Sequence, residues 1–215
     1  MDAIIEYLPR IIDGFLMTLR LLLISGLGAL VLGTLIAAMR ISPVAALRWF
    51  AVGFTELFRN IPLTLILFFC ATVLPYLQVR FDYTTFALIG LTLYTSPFVA
   101  EAIRSGVNGV PMGQAEAARA IGLSFTGVVG LIVLPQAVRM VIPPLINVLI
   151  ALTKNTSVAG AFAVTELFAT SRQLINLRGD ATISFLIGVA VLYLLITIPL
   201  GQFANRLEKK VAVLR

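Results

Sequence analysis

Four polar residues interrupt an otherwise apolar stretch in the last third of the chain: Lys154, Asn155, Thr156 and Ser157. They offer an ammonium, a carboxamide and two hydroxyls, a set that can hold a carboxylate by charge and hydrogen bonds. Glu56 and Arg59 stand three residues apart, which on one helix face lets an acid and a base pair. Gln114, Glu116 and Arg119 lie in a short alanine-rich stretch between glycines. None of these sets is equipped for covalent catalysis. The chain has no histidine and one cysteine, so no nucleophile has an imidazole beside it, and neither a Cys/His metal site nor an internal disulfide can form. Its lysines are Lys154, Lys209 and Lys210, and none completes a Gly-x-x-x-x-Gly-Lys-Ser/Thr phosphate loop. The chemistry these residues offer is binding, and any nucleotide hydrolysis belongs to another chain.

The setting of these groups follows from composition. Of 215 residues, 60% are hydrophobic and 12% charged, whereas soluble domains carry about 25% charged residues. Bilayer is the solvent such a chain fits, with one domain expected at this length. The net charge of +6 is spread between apolar runs and forms no stripe, so it reads as a topology signal and excludes nucleic acid as a partner. Asp2 and Glu6 against Arg10 are the reverse of the basic start of a secretory leader. Cys70, inside an apolar run, reads as packing.

A spanning helix needs ~20 mostly apolar residues. Five stretches qualify: Ile12–Met39, Trp49–Leu77, Thr84–Ala100, a region between Leu131 and Leu167, and Ala181–Ala204. Arg40 and Arg48, then Arg104 and Arg119, then Arg206, Lys209, Lys210 and Arg215 occupy alternate connections, while Asp2, Glu6 and Asp13 crowd the N-terminus. Positive charge marks the cytoplasmic side, which predicts an outside N-terminus and an inside C-terminus; Arg172 and Arg178 depart from the pattern. Ser25, Ala29, Gly33 and Ala37 recur every fourth position, a spacing that lets another backbone approach closely in lipid. Pro62 is expected to kink the second span. The fourth region has two readings. If Pro143-Pro144 breaks it, the span runs from about Leu145 to Leu167 and places Lys154 to Ser157 near mid-membrane. A lysine there costs at least ~2.5–3.5 kcal/mol and must face a wet cavity or a partner. If the span starts near Leu131, Lys154 ends it and snorkels at the outer interface. On the first reading Lys154, Asn155, Thr156 and Ser157 line a translocation path or its gate, with Glu56 and Arg59 as a strut or gate at its inner half.

The stretch between the third and fourth spans is too polar to cross a membrane. Gly106, Gly109, Pro111 and Gly113 are expected to break helix before it, Gln114 to Ile121 favours helix, Glu116 and Arg119 are spaced to pair, and Gly122 can end it as a C-cap. A short separate helix at the inner face suits docking on a soluble partner.

These residues carry a family resemblance. Glu116-Ala117-Ala118, then Gly122, then Ile132-Val133-Leu134-Pro135 resemble the signature of ABC importer permeases, whose short helix fits a groove on the ATPase subunit. Glu56-Leu-Phe-Arg59-Asn60, Phe98-Val-Ala-Glu101, Gly113-Gln114, Leu134-Pro135-Gln136-Ala137, Pro144-Leu-Ile-Asn147 and Lys154-Asn155-Thr156-Ser157 are similar to the polar amino acid branch, from about Thr18 to Arg206. Leu152 to Ser157 and Tyr94-Thr-Ser96 look most like glutamate-system permeases. The resemblance implies an all-α membrane protein of five spans, with an extracytoplasmic segment 1–17, a transmembrane domain 18–206 and a cytoplasmic tail 207–215. It assigns ATPase coupling to Gln114, Glu116, Ala117, Ala118 and Gly122. It implies two ATPase subunits that carry the ATP and Mg²⁺, a second permease (identical or a sister), an extracytoplasmic amino-acid-binding protein, and a bacterial cytoplasmic membrane. The branch has Asp after the lysine where this chain has Asn155, which frees Lys154 to meet a solute carboxylate. It often has Gly-Thr before the proline of the second span, where this chain has Asn60-Ile61, and a Gln where Ile66 stands. Another small solute, or a self-sufficient secondary transporter, are the competing readings; the second is usually built of internal repeats, and none is evident.

Overall fold

The structure is a computed structural model that describes residues 2–212, with side chains for 3–209; the side chains of Asp2 and Lys210, and all of Arg215, lie outside that description. The described residues form helices and no strands: α1 Asp2–Glu6, α2 Leu8–Ile41, α3 Ala45–Asn60, α4 Leu63–Tyr76, α5 Tyr83–Asn108, α6 Met112–Ala120, α7 Phe125–Ala161, α8 Leu167–Leu177 and α9 Thr182–Ala212. Among them α2, α5, α7 and the segment Gly179–Lys209 are each long and apolar enough to cross a membrane, and α3 with α4 makes a fifth if the bent pair is one span.

The centre of the molecule is the parallel pair α2–α5: Gly28 meets Thr92, Gly33 meets Ser96 and Val99, and Arg40 meets Glu101. Ser25, Ala29, Gly33 and Ala37 are all buried, as their spacing predicts. A Cβ on Gly33 would stand 2.6 Å from the Ser96 carbonyl oxygen and 2.6 Å from Val99 Cβ, so only glycine lets the backbones meet here. Leu21, Leu22, Leu63, Leu67 and Leu91 close the core around this seam, and Cys70 packs beside Phe86 and Ile66. Asp82 caps α5: its carboxylate accepts from the Thr85 hydroxyl at 2.5 Å and amide at 3.2 Å, and the hydroxyl bond above all holds its carboxyl below the usual carboxylate range.

The prolines behave in three ways. Ile61 and Pro62 are extended, since a proline pushes the residue before it out of the helical region, and the expected kink becomes a 100° bend between α3 and α4. The stretch Trp49–Leu77 is therefore no straight span. Ala51 packs on Ile36 and Ala100 while Arg59 reaches Phe98 and Glu101, so α3 crosses α5 at a single level instead of climbing beside it. Pro75 and Pro135 each follow a π turn, Phe69–Val73 and Val128–Val133, where the wider turn moves carbonyls away from a ring that would clash in a regular helix. Pro143-Pro144 does not break α7, contrary to the first reading of the fourth span: Leu134–Asn155 is one helix, as membrane helices with neighbours to re-satisfy freed carbonyls allow. On the second reading the span starts near Leu131 and Lys154 ends it: the helix itself starts earlier, at Phe125, at ~1.5 Å per residue α7 is longer than a ~30 Å hydrocarbon layer, and Lys154 stands in the last turn of Leu134–Asn155.

Beyond Thr156–Ala161, a 3₁₀ turn, the chain loosens: Ala163 has φ +60°, and Glu166 then starts α8. Leu167 and Thr170 meet Gly14 of α2, and the Arg178 guanidinium donates to Glu6 at 3.1 Å, so α8 runs back along the first part of α2. A second core gathers Ile11, Leu167, Leu174 and Phe185.

Candidate functional site

Three groups of polar residues are set into this frame: the end of α7, a hub on α5, and α6.

Gly26, halfway along α2, is touched by Leu149 and Leu152 of α7. The stretch of α7 around Leu149 and Leu152, just before Lys154, therefore lies at the middle level of α2. The polar set found there in sequence is divided. Lys154 is exposed, Thr156 is fully buried and donates to the Thr153 carbonyl at 2.7 Å, and the Ser157 hydroxyl donates to the Lys154 carbonyl at 2.7 Å. Only Asn155 faces a cavity of about 400 Å³. That size falls in the range of about 300–1,000 Å³ typical of small-molecule pockets. Asn147, Ala151 and Asn155, one helical stripe of α7, form one wall, and Tyr94, Thr95 and Phe98, midway along α5, form the other. Thr95 is 3% exposed and its hydroxyl oxygen has no hydrogen-bond partner. A buried hydroxyl left unmade costs about 1–3 kcal/mol, so this group is a standing donor and acceptor for whatever enters. Amides, a hydroxyl and aromatic rings share the wall with the aliphatic Val148, Ala151 and Leu152. Lys154 lines no part of it.

Glu56 and Arg59 do not pair. Glu56 accepts from its neighbour Asn60, while Arg59 lies 3.7 Å from Glu101 and over the Phe98 ring at 5.8 Å. Glu101, read from the sequence only as the end of a span, is a hub: Arg40 of α2 and Arg104 of its own helix (3.1 Å) also bind it. One carboxylate thus ties α2, α3 and α5, and α5 continues through Gly106 to Asn108 because Gly106 fits against Val141 of α7.

The α6 helix is where sequence places it, starting two residues earlier and ending one residue sooner. It begins at Met112 and includes Gly113, which does not break it. Gly122 has φ +88°, its amide donates to the Arg119 carbonyl at 3.0 Å, and the Leu123 amide donates to the Ala118 carbonyl at 3.1 Å. This pair of bonds is the Schellman motif, which needs a left-handed residue such as glycine. Ala118 is buried and anchors the helix, while Gln114, Glu116 and Ala117 are exposed. Gln136 of α7 donates to Gln114 at 2.5 Å. Glu116 forms no ion pair with Arg119, which lies over the Phe125 ring at 5.9 Å. Met112, Ile121 and Phe125 are 77%, 81% and 69% exposed, an apolar rim around a helix whose free face carries Glu116.

Residues missed by sequence reasoning include Thr95 and Asn147 as cavity walls, and Glu166. Glu166 is fully buried; its carboxylate accepts from the Phe168 and Ala169 amides at 2.8 and 2.7 Å and from the Tyr193 hydroxyl at 3.0 Å. An acid inside an apolar stretch of a membrane protein was the signal for it.

The chain belongs to the family of binding-protein-dependent transport system inner membrane components, whose family model matches residues 29–213. It is thus a membrane-embedded permease component with the type-1 ABC importer permease fold. It is 39% identical to the glutamate transport system permease protein GluC of Corynebacterium efficiens over 95% of both chains. It is 41% identical to the probable glutamine ABC transporter permease protein GlnM of Bacillus subtilis, over 92% of this chain and 91% of that one. The crystal structure of an amino acid ABC transporter with histidines matches it with a TM-score of 0.89 at 25% identity, covering 96% of each chain. The MetNI methionine ABC transporter matches at 0.73 and 21% identity, a likeness of fold.

Proposed function

We propose that this chain forms one half of the membrane path of an ATP-driven importer for a polar amino acid of the glutamate or glutamine type. The named relatives support that solute class, and the cavity between α5 and α7 supports a solute held by neutral hydrogen-bonding groups: Thr95, Asn147 and Asn155 would meet its polar atoms and Tyr94 and Phe98 its carbon chain. Lys154, Thr156 and Ser157 then shape the end of α7 around Asn155, and Glu56 and Arg59 belong to the α3 bend beside it. A second permease, the same chain or a sister, would close the open side of the path. Two ATPase subunits would bind ATP and Mg²⁺ and dock on Gln114, Glu116, Ala117, Ala118 and Gly122 of each half. A binding protein would deliver solute to the opposite end, with the N-terminus outside, segment 18–206 in the membrane and the tail 207–215 inside. The observation that carries the reading is α6 itself: a capped helix, held by Ala118, with Gln114, Glu116 and its apolar rim uncovered.

The test is uptake of labelled glutamate and glutamine into proteoliposomes holding the permease, its ATPase and the binding protein. Uptake that requires ATP and survives collapse of ion gradients is expected. Uptake driven by an ion gradient without the ATPase chain would make the protein a secondary transporter and end the proposal.

A further inference from the structure

At the α6 end of the bundle, away from the amino acid cavity, a second cleft of about 330 Å³ is lined by Arg40, Arg48, Trp49, Val52 and Arg104. Its charge is unbalanced. Arg40, Arg59 and Arg104 share the single carboxylate of Glu101, and among the described residues Arg48 has no carboxylate within salt-bridge distance. Arg48 is fixed by its own loop: its Nη1 donates to the Ser42 and Pro43 carbonyls at 2.8 Å each. A guanidinium has five N–H donors, so those on Nε and Nη2 remain for a ligand. Four guanidiniums around one carboxylate make a site for an anion with several acceptor oxygens, and planar guanidinium forks match a phosphate.

The rim decides which phosphate. Trp49 is 75% exposed, and Ile41 and Val44, at the same α2–α3 connection, are 66% and 51% exposed. A free phosphate gains nothing from that apolar surface, whereas a phosphate carrying acyl chains does, and tryptophan favours the headgroup level of a bilayer. Basic pockets between membrane helices recognise anionic headgroups by the same combination. We propose that this cleft binds the headgroup phosphate of an anionic phospholipid, which supplies the charge that Glu101 alone does not and pins the bend between α2 and α3. The leaflet occupied rests on the orientation proposed above; the binding does not.

The full-length permease, purified with its partners from membranes of mixed phosphatidylglycerol and phosphatidylcholine, allows a direct test by native mass spectrometry of retained lipid. Preferential retention of phosphatidylglycerol is expected, falling about fivefold in Arg48→Gln, the effect of removing one basic residue near an anionic lipid. Trp49→Ala should also lower it, and Arg206→Gln, an exposed arginine on α9 outside the cleft, should not. Inorganic phosphate at millimolar concentration should leave the lipid in place. Equal retention by wild type and Arg48→Gln, or equal loss in Arg206→Gln, would overturn the site; displacement by inorganic phosphate with Trp49→Ala unchanged would show an ion site and overturn the lipid assignment. Uptake assays are not the readout, so failure here is distinct from failure of the importer reading.

Discussion

The α2–α5 seam and the α6 helix are both built around glycines, to opposite ends. At Gly33 the side chain is absent because Ser96 and Val99 occupy its place; at Gly122 nothing lies within 4 Å and the glycine serves a positive φ. One glycine closes a contact and the other frees an end. The Gly33 contact is filled by backbone and Val99, while α6 leaves Gln114, Glu116 and Ala117 exposed. Packing and coupling are thus assigned to different parts of the chain, and mutations should separate them.

The largest effect is expected at the seam. Gly33→Leu drives a side chain into the α5 backbone, and overpacking of that kind costs about 3 kcal/mol or more; little folded protein should survive detergent extraction in a fluorescence size-exclusion assay. Glu166→Ala removes a helix cap and the acceptor of the half-buried Tyr193 hydroxyl, together about 2–3 kcal/mol, read as a lower melting temperature; Glu166→Gln, which keeps an acceptor, should lose less. Gly122→Val places a branched residue at positive φ for about 1–2 kcal/mol, confined to the end of α6, so the melting temperature should move little while ATP-driven uptake falls sharply. A melting loss as large as that of Gly33→Leu would erase the distinction between the two regions. The smallest stability effect belongs to Thr95→Val. Replacing an unpartnered buried hydroxyl by a methyl should leave stability level or raise it by up to about 1 kcal/mol, and at the same time weaken the apparent affinity for the transported amino acid. Weaker transport with weaker folding would instead make Thr95 a packing residue.

Much of this division was legible in the sequence. The apolar runs located the long helices α2, α5, α7 and α9, the four-residue repeat from Ser25 to Ala37 located the seam, and Gly122 marked the cap of α6, because each depends on residues close together in the chain. What escaped depends on distant partners. Arg59 binds Glu101 instead of Glu56 because α3 turns across α5, and Pro62 announces a break without its angle. Pro143-Pro144 looked like a break, but the helix continues through it from Leu134 to Asn155. Thr95 became a candidate only once α7 was seen to offer it no partner.

Whether α6 is the grip of the ATPase is most directly measured by co-purification of the tagged permease with its ATPase subunit, alongside substrate-stimulated ATP hydrolysis. Glu116→Arg and Ala117→Trp alter exposed positions and should leave the permease folded. The account predicts that each weakens ATPase recovery and stimulated hydrolysis at least about tenfold, the cost of a lost interface anchor. Full recovery of the ATPase with normal stimulation in both variants would contradict it.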